Sequence, residues 1–345
     1  MAITLTDADI VDLTTTTLKE LGRMKFTQIA QRLQDYEVAQ RIFKKDKVTF
    51  DGGIGISRNI MLDTKSVARQ TGLYEKDNVN VGDVMSTISI PWRHTTNSYG
   101  FERREITMNT GDPASTIVEL LKVRRADCML STVEQFETQF WNKPTDSSNV
   151  LDVYGVPYWI VKNATQGFNG GAPAGFAAGA GGLINPRWNN WTDSYSTVSK
   201  ADLITKMRKA HRKIGFKSPI DTPSYRMGSG QTYRIYVNEP TLAALETLGE
   251  NQNEQLGRDL APMDDNICFR KNPINWVPYL DGDTDNPIYF IDFNQFAPVF
   301  LNGEFMRETE VKPVPGQHNT FAVFVDTTWN MLCTDRRRNA VIYQD

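Results

Sequence analysis

One uninterrupted helical pattern constrains this chain more than any other part of its sequence. Asp112-Pro113 offers an N-cap followed by a proline at the first helical position, and Pro144 marks the far end. Apolar residues recur between them at helical spacing: Ile117, Leu120, Leu121, Ala126, Met129, Leu130, Val133, Phe136 and Phe140. A helix over 113–141 would be about 40 Å long. Such a helix either crosses a whole domain or extends towards a neighbouring molecule.

The sequence before this helix divides into a helical arm and a long β excursion. Residues 1–46 carry two amphipathic helical patterns, and from 47 to 110 the apolar period changes to two. Strand-like runs lie at 54–62, 85–92 and 101–108. Because residues 66–83 contain few large apolar side chains, this stretch is predicted to be an extended arm rather than part of a core.

Residues 167–182, GFNGGAPAGFAAGAGG, are rich in glycine. A Walker phosphate-binding loop needs Gly-Lys-Ser/Thr, and no lysine occurs between Lys162 and Lys200. A dinucleotide-binding turn needs GxGxxG before a helix, whereas the GAGGLI run here lacks the last glycine and continues into INPRWNNW. The stretch is therefore predicted to be a conformationally permissive loop, at the surface or between subunits. The preceding LDVYGVPYWIV has the pattern of a short buried strand.

The second half of the chain mixes helix and strand patterns. Ser199 and Asp202 form a capping-box pattern that opens a helix ending near Ile214. The outer face of this helix carries Lys206, Arg208, Lys209, Arg212 and Lys213, which indicate either a nucleic-acid patch or a solvated helix face. Further strands are predicted at 234–237, 288–293, 308–314, 320–325 and 330–334. The order of these patterns predicts an α+β fold.

Composition excludes several classes of protein. The 345 residues suggest about two domains or one domain with large excursions, and a net charge of -3 gives no global field for a charged partner. Three cysteines lie far apart without CxxC spacing, which argues against a disulfide framework and a zinc site and fits a reducing compartment. The first residues lack the pattern of a signal peptide, and no segment reaches the roughly 18 apolar residues of a membrane span.

The residue types that carry chemistry do not form a recognised catalytic, cofactor or metal pattern. His94, His211 and His318 lack metal-ligand spacing, and residues 227–230, MGSG, lack the first glycine of a nucleophile elbow. The acidic runs at 264–265 and 281–285 depart from EF-hand spacing and are predicted to be turn residues. The run 336–338, RRR, is predicted to be a solvated or interface cluster. No cofactor, metal or enzymatic activity is therefore expected.

The order of these segments resembles the major capsid proteins of tailed bacteriophages, whose fold is shared with encapsulins and the herpesvirus capsid floor. Local phrases carry the resemblance as well: IPWRH and FERREI in the β excursion, YGVPYWI and INPRWNNW after the long helix, then YFIDFNQFAPVFLNGEFMRE and QHNTFAVFVDTTWNMLCTDRR. The resemblance covers most of the chain, from the forties to the last few residues.

The resemblance implies a division of the chain into four parts. Residues 1–46 would be an N-terminal arm that crosses onto neighbouring subunits, and 47–110 an extended β-loop over the adjacent subunit. Residues 111–222 would form a peripheral domain with the long spine helix and the glycine-rich loop. Residues 223–345 would be mostly an axial domain with a central sheet, and the late strands would return to the peripheral domain. Residues 249–259 would face the local symmetry axis.

The resemblance also implies a function. The chain would assemble with itself into hexamers and pentamers that form an icosahedral head around double-stranded phage DNA, built in the host bacterial cytoplasm and located in the virion. A scaffolding protein, a portal and a decoration protein would be its partners, and no membrane is expected. The alternatives are an encapsulin-like shell or an α/β enzyme with an unrecognised site. Predicted intersubunit contacts are Arg69, Tyr74, Glu75, Arg103, Arg104, Glu250 and Glu254, and predicted inner-face DNA contacts are Lys206, Arg208 and Lys209.

Overall fold

A computed structural model describes residues 48–62, 68–76, 82–108, 113–215, 233–251, 260–263 and 266–345. The predicted arm over 1–46 lies outside the described residues. The helices are α1 (Arg103–Met108), α2 (Pro113–Phe140), α3 (Val156–Trp159), α4 (Thr205–Ile214) and α5 (Glu239–Asn251). Among these described helices, none is long and apolar enough to cross a membrane. Single helical turns occur at Ala180–Gly182, Pro186–Trp188, Lys200–Ile204, Pro278–Leu280 and Arg336–Arg338.

Sixteen strands occur in the described part of the chain, and most are short. They are β1 (Val48–Phe50), β2 (Gly55–Met61), β3 (Met85–Pro91), β4 (Arg93–Glu102), β5 (Gly167–Gly170), β6 (Asn190–Tyr195), β7 (Arg234–Val237), β8 (Leu260–Met263), β9 (Asn266–Phe269), β10 (Asn272–Trp276), β11 (Ile288–Ile291), β12 (Phe296–Leu301), β13 (Arg307–Glu308), β14 (Lys312–Pro313), β15 (Thr320–Cys333) and β16 (Ala340–Gln344). Helix and strand are both well represented, and the predicted α+β class is confirmed.

The chain divides into two compact units. The first comprises the described parts of Met1–Gly52, Arg93–Gln139 and Val299–Trp329. In it β4 pairs antiparallel with β15 over ten residues, from Arg93↔Trp329 to Glu102↔Thr320. Helix α2 covers this pair, and their shared core contains Tyr99, Phe101, Leu121, Cys128, Met129, Val311, Phe321, Val323 and Val325. The amphipathic face of the long helix is therefore buried on a sheet.

The second unit comprises Gly53–Trp92, Phe140–Pro298 and Asn330–Asp345. Its main sheet has the order β5-β6-β16-β11-β7-β10-β9-β8, with parallel pairing at β6–β16 and β7–β10 and antiparallel pairing elsewhere. The apolar side of α4 packs on this sheet, with Met207, Ala210 and Ile214 in one cluster with Ile235 and Phe290. Strands β2 and β3 form a separate two-stranded sheet in this unit.

The two strongest helix predictions are confirmed. The long helix runs over Pro113–Phe140, 28 residues, while its predicted N-cap Asp112 lies outside the described residues. The predicted 199–214 helix begins at Ser199, whose hydroxyl accepts a hydrogen bond from the Asp202 backbone N–H at 3.2 Å. Its first turn, Lys200–Ile204, is π-helical. Capping chemistry thus locates these helix starts correctly, although it does not resolve the type of the first turn.

Two predicted strands are helical instead. In the predicted strand 101–108, pairing ends at Glu102 because the partner strand begins at Thr320. The Glu105 carboxylate then accepts from the Glu102 backbone N–H at 3.3 Å, which favours the helical turn of α1. The predicted buried strand in LDVYGVPYWIV is buried, but Val156–Trp159 is helical, with proline in its first turn where no backbone donor is needed.

The glycine-rich stretch 167–182, predicted to be a loop at the surface or between subunits, is only partly exposed. It begins as the edge strand β5, and Phe176, Ala180 and Gly181 are buried. A Cβ on Gly170 would lie 2.0 Å from Asn190 Oδ1, and one on Gly175 would lie 2.3 Å from the Thr145 carbonyl oxygen. Glycine is needed here because other parts of the chain approach the backbone closely.

Candidate functional site

The β2–β3 hairpin divides sharply into a buried and an exposed end. Its register covers seven pairs, from Gly55↔Pro91 to Met61↔Met85. Near the first pair, Ile56, Ile88 and Ile90 are fully buried, whereas both methionines of the last pair are more than half exposed. The chain therefore fixes one end of this hairpin in its own core and leaves large apolar side chains uncovered at the other end.

The buried end is fixed by the glycine-rich stretch. Gly181 has φ +68°, and a Cβ at this position would lie 2.4 Å from Ile88 Cγ2 and 3.3 Å from the Trp159 ring. The Gly181 backbone N–H donates to the Tyr158 hydroxyl at 2.9 Å. Because a side chain at 181 would displace Ile88, the glycine permits the close approach that seats β3.

A buried asparagine provides the second anchor of the hairpin. The Asn330 side-chain amide donates to the Pro91 carbonyl at 2.7 Å, and its Oδ1 accepts from the backbone N–H of Tyr154 at 3.0 Å and of Met331 at 2.8 Å. Asn330 is fully buried, so each of these bonds forms away from water. One side chain thus ties the end of β3 to two other segments.

The predicted contact residues of the β excursion surround a tight turn. Arg69 Nη2 donates to the Lys76 carbonyl at 2.6 Å, and Arg69 Nη1 lies 3.6 Å from Glu75 Oε1. Glu75 Oε2 accepts from the Gly72 backbone N–H at 2.8 Å. Leu73 and Tyr74 are almost completely exposed at this turn, and Tyr74 has φ +65°. Arg69 and Glu75 therefore shape the turn that presents two large apolar side chains.

The other predicted contact residues belong to other parts of the chain. Arg104 is exposed at the start of α1 and lies 3.7 Å from Glu102, and the Arg103 backbone N–H donates to the Asn319 carbonyl at 2.9 Å. Glu250 is at the end of α5, and Glu254 lies outside the described residues. Their proposed role between subunits stays a prediction.

The predicted DNA-contact residues lie on α4, where Lys206 and Lys209 bind to groups near the β5–β6 edge of the main sheet. Lys206 Nζ lies 2.6 Å from Asp202 Oδ1 and also donates to the Ser194 carbonyl. Lys209 Nζ donates to Gln166 Oε1. Arg208 is half-buried on another side of α4, whereas the neighbouring residues Arg212 and Lys213 are exposed.

The arginine run 336–338 was predicted to be solvated or at an interface, and this is wrong for two of its members. The Arg336 guanidinium is buried and donates to the carbonyls of Trp159 at 2.6 Å and of Gly170 and Gly171 at 2.9 Å each. Arg338 is buried beside Asp292 at 3.5 Å. Burial lowers the pKa of Arg336 to about 10. Two of the carbonyls that Arg336 binds belong to the glycine-rich stretch, far from Arg336 in the sequence. The sequence around Arg336 therefore gives no sign of these partners.

The polar groups considered for catalysis have separate local partners. His94 Nδ1 lies 2.9 Å from Thr328 Oγ1, and His211 Nε2 lies 3.4 Å from Asn272 Nδ2. Burial, with a smaller contribution from the Arg270 cation, lowers the pKa of His211. Lys162 Nζ bridges the carboxylates of Asp283 at 2.6 Å and Asp285 at 2.9 Å. Within the described ranges, no group of three metal-binding side chains comes together. The residues 227–230 and 264–265 lie outside the described structure.

Comparison with known proteins gives a consistent result at the level of structure. No family model and no curated protein matches the chain. The capsid asymmetric unit of Cyanophage A-1(L) is similar with a TM-score of 0.58 at 12% identity, covering 90% of this chain and 92% of that one. The capsid of the native GTA particle gives 0.52 at 12% identity, covering 90% of each chain.

A third solved structure agrees with these two. The mature capsid of bacteriophage PhiM1 gives a TM-score of 0.51 at 10% identity, covering 88% of this chain and 86% of that one. Identities this low establish a shared fold and not a shared function. Each of the three matches covers about nine-tenths of the chain. The chain has the phage major capsid fold that the order of its sequence segments predicted.

Proposed function

We propose that this protein is a major capsid protein that assembles into hexamers and pentamers of an icosahedral head enclosing double-stranded DNA. One observation supports this most strongly. In the capsid fold, the β excursion carries Met61 and Met85 more than half exposed at one end of the hairpin and Leu73 and Tyr74 almost completely exposed at the turn 68–76, although the other end of the hairpin is seated in the core. Large apolar side chains left exposed in this way commonly mark a surface that a partner covers.

A second copy of the chain is the partner we propose for this surface. Obligate interfaces commonly bury about 2,000–5,000 Å², and large apolar and aromatic side chains supply much of their free energy. The turn at 68–76 offers such side chains on a backbone held by Arg69 and Glu75. We assign Arg69, Tyr74 and Glu75 to this contact, with Arg103, Arg104, Glu250 and Glu254 in further contacts between subunits.

The proposed role is structural rather than enzymatic. His94 and His211 have different local partners, and the acidic residues Asp283 and Asp285 are paired with Lys162. In the same proposal, a scaffolding protein, a portal and a decoration protein act with the shell, which assembles in the host bacterial cytoplasm and ends in the virion.

Sedimentation velocity and negative-stain electron microscopy of the purified chain, alone and with a co-expressed scaffolding protein, test the proposal. Closed shells, tubes or rings of five or six subunits support it. A monomer over the whole accessible concentration range in both preparations would contradict it. The absorbance ratio of nuclease-treated shells then separates a DNA-filled head from an encapsulin-like shell that holds no nucleic acid.

A further inference from the structure

The cations of α4 are distributed over two sides of the helix. Residues 206, 209 and 213 share one side at helical spacing, and residues 208 and 211 share another. The contacts of these residues show which part of the main sheet each side of α4 faces. Lys206 and Lys209 reach Ser194 and Gln166 near the β5–β6 edge of the main sheet. The His211 ring instead lies 5.7 Å from Tyr233 and 6.2 Å from Phe269, towards the opposite part of the sheet.

A fourth cation, Arg337, lies on the same side as residues 206, 209 and 213, because it contacts Phe168 of the edge strand β5. The Arg337 guanidinium lies over the Phe168 ring at 4.6 Å. Phe168 packs edge-on against Trp191 at 5.2 Å and contacts the cluster that contains the apolar side of α4. Gln166, which binds Lys209, also donates to Asp193, which is two residues from Trp191 in β6 and so lies on the same face of the sheet as Trp191. Lys209 and Arg337 therefore lie on the same face of the sheet at its edge.

Helical geometry adds Lys213 to this surface. Because α4 runs antiparallel to β6, from the Ser194 end towards the Arg337 end, Lys213 lies one turn beyond Lys209, about 6 Å along the helix axis. Lys213 and Arg337 are both exposed. Two carboxylates of this region form hydrogen bonds within the chain: Asp193 accepts from Gln166 at 2.5 Å, and Asp335 accepts from the Arg337 backbone N–H at 2.9 Å. We call Lys209, Lys213 and Arg337 the β5-edge cations.

We propose that the β5-edge cations bind the phosphate backbone of double-stranded DNA. The inference rests on the proposed function. Of the DNA contacts predicted from the sequence it keeps Lys209, and it assigns Lys213 and Arg337 in place of Lys206 and Arg208. Lys209 and Lys213, about 6 Å apart along the helix axis, match the advance of two phosphates along one DNA strand, roughly 6.8 Å. Arg337 has its planar group held on an aromatic ring, which orients its donors for phosphate. An apolar protein partner would leave these cations desolvated and unpaired.

Fluorescence anisotropy with a labelled DNA duplex, over roughly 50–200 mM salt, tests the proposal on the full-length protein. The test variant is the triple substitution Lys209→Gln, Lys213→Gln and Arg337→Gln. The control is Lys312→Gln, which removes an exposed cation from β14 in the other unit. Circular dichroism confirms that each variant is folded, and electron microscopy records whether it assembles.

We expect the slope of log affinity against log salt to fall by about 3 in the triple variant, by about 1 in each single variant, and to be unchanged by Lys312→Gln. An unchanged slope in the triple variant would overturn the inference, and so would wild-type protein that binds a polyglutamate peptide as tightly as the duplex. Shells that form normally from a triple variant with weakened DNA binding would support the inference and leave the proposed assembly intact. Wild-type protein that binds DNA as expected but never assembles would contradict only the proposed function.

Discussion

Gly181 lies directly against Ile88, so that a Cβ at Gly181 would approach Ile88 Cγ2 to 2.4 Å. Gly182, the next residue, has a similar φ of +75° but no atom within 4 Å of a Cβ. Comparing Gly181 with Gly182 distinguishes two structural reasons why a position requires glycine. At 182 the backbone conformation alone favours glycine, whereas at 181 the close approach of β3 is added to it.

Gly181→Ala should therefore destabilise the chain more than Gly182→Ala. We expect about 1–2 kcal/mol from the left-handed conformation in both variants, and about 1–3 kcal/mol more at Gly181 from overpacking. Denaturant midpoints of the unassembled protein measure the difference. Equal losses in the two variants would show that Ile88 is not seated on Gly181.

Asn330→Asp should loosen the buried end of the hairpin. The substitution keeps an acceptor for Tyr154 and Met331 but removes the donor to the Pro91 carbonyl, and it places an acidic group in a fully buried site. We expect a loss of about 2 kcal/mol or more and faster hydrogen exchange in β3. The control Asn59→Asp lies on the exposed side of β2 and keeps its acceptor for the Thr87 hydroxyl. Unchanged exchange in β3 of Asn330→Asp would refute this anchor.

Arg336→Lys should be far more damaging than Arg337→Lys. The Arg336 fork reaches four acceptors on Trp159, Gly170, Gly171 and Asn190, and an ammonium group cannot satisfy them all. We expect a loss of about 3 kcal/mol for Arg336→Lys and less than about 1 kcal/mol for the exposed Arg337→Lys. Thermal unfolding of both variants measures this difference in stability. Similar melting temperatures would show that the buried hydrogen bonds of Arg336 do not stabilise the fold.

His211 should make stability decline in mild acid. Since burial holds the pKa of His211 below its unfolded value of about 6.5, the unfolded chain takes up this proton first as the pH falls. The corresponding stability is fully present well above pH ~6.5 and decreases as the pH falls through that value towards the folded pKa. His211→Gln should remove this part of the pH dependence, measured by urea midpoints from about pH 8 to 5. The exposed His318→Gln is the control, and identical profiles for His211→Gln and wild type would contradict the assignment.

The turn at 68–76 should control assembly without controlling folding. Leu73→Ser and Tyr74→Asn remove nearly fully exposed side chains, and asparagine tolerates the positive φ at 74, so stability should change by less than about 0.5 kcal/mol. If a second subunit covers both side chains, each loss should weaken the contact by about 2 kcal/mol or more. Sedimentation velocity should then show smaller species for these variants but not for Leu151→Ser, an equally apolar exposed residue in the loop after α2. Normal assembly of both turn variants would exclude the turn as the contact.

The sequence predicts the local elements of this fold better than its buried contacts. Pro113 and Ser199 locate two helix starts because capping depends on neighbouring residues alone. The burial of Arg336 depends on carbonyls of the 159–171 segment, more than 160 residues away in the chain, and no local pattern indicates them. For the same reason, the packing of the glycine-rich stretch against β3 could not be predicted from its composition.

The candidate site was predicted in part. The few large apolar residues of the 66–83 stretch predict an extended arm, and its described turn exposes Leu73 and Tyr74. The sequence also predicts the charged face of α4, but the side of the helix on which each cation lies depends on the sheet beneath it. Arg337 joins that surface through Phe168, a relationship that only the tertiary structure provides.

A cryo-electron microscopy reconstruction of the particle formed by the wild-type chain would show whether the turn at 68–76 lies between subunits. We predict a closed shell of hexamers and pentamers in which residues 68–76 contact an adjacent subunit that covers Leu73 and Tyr74. Particles in which these two side chains remain in solvent, or a chain that forms no particle with or without a scaffolding protein, would contradict it.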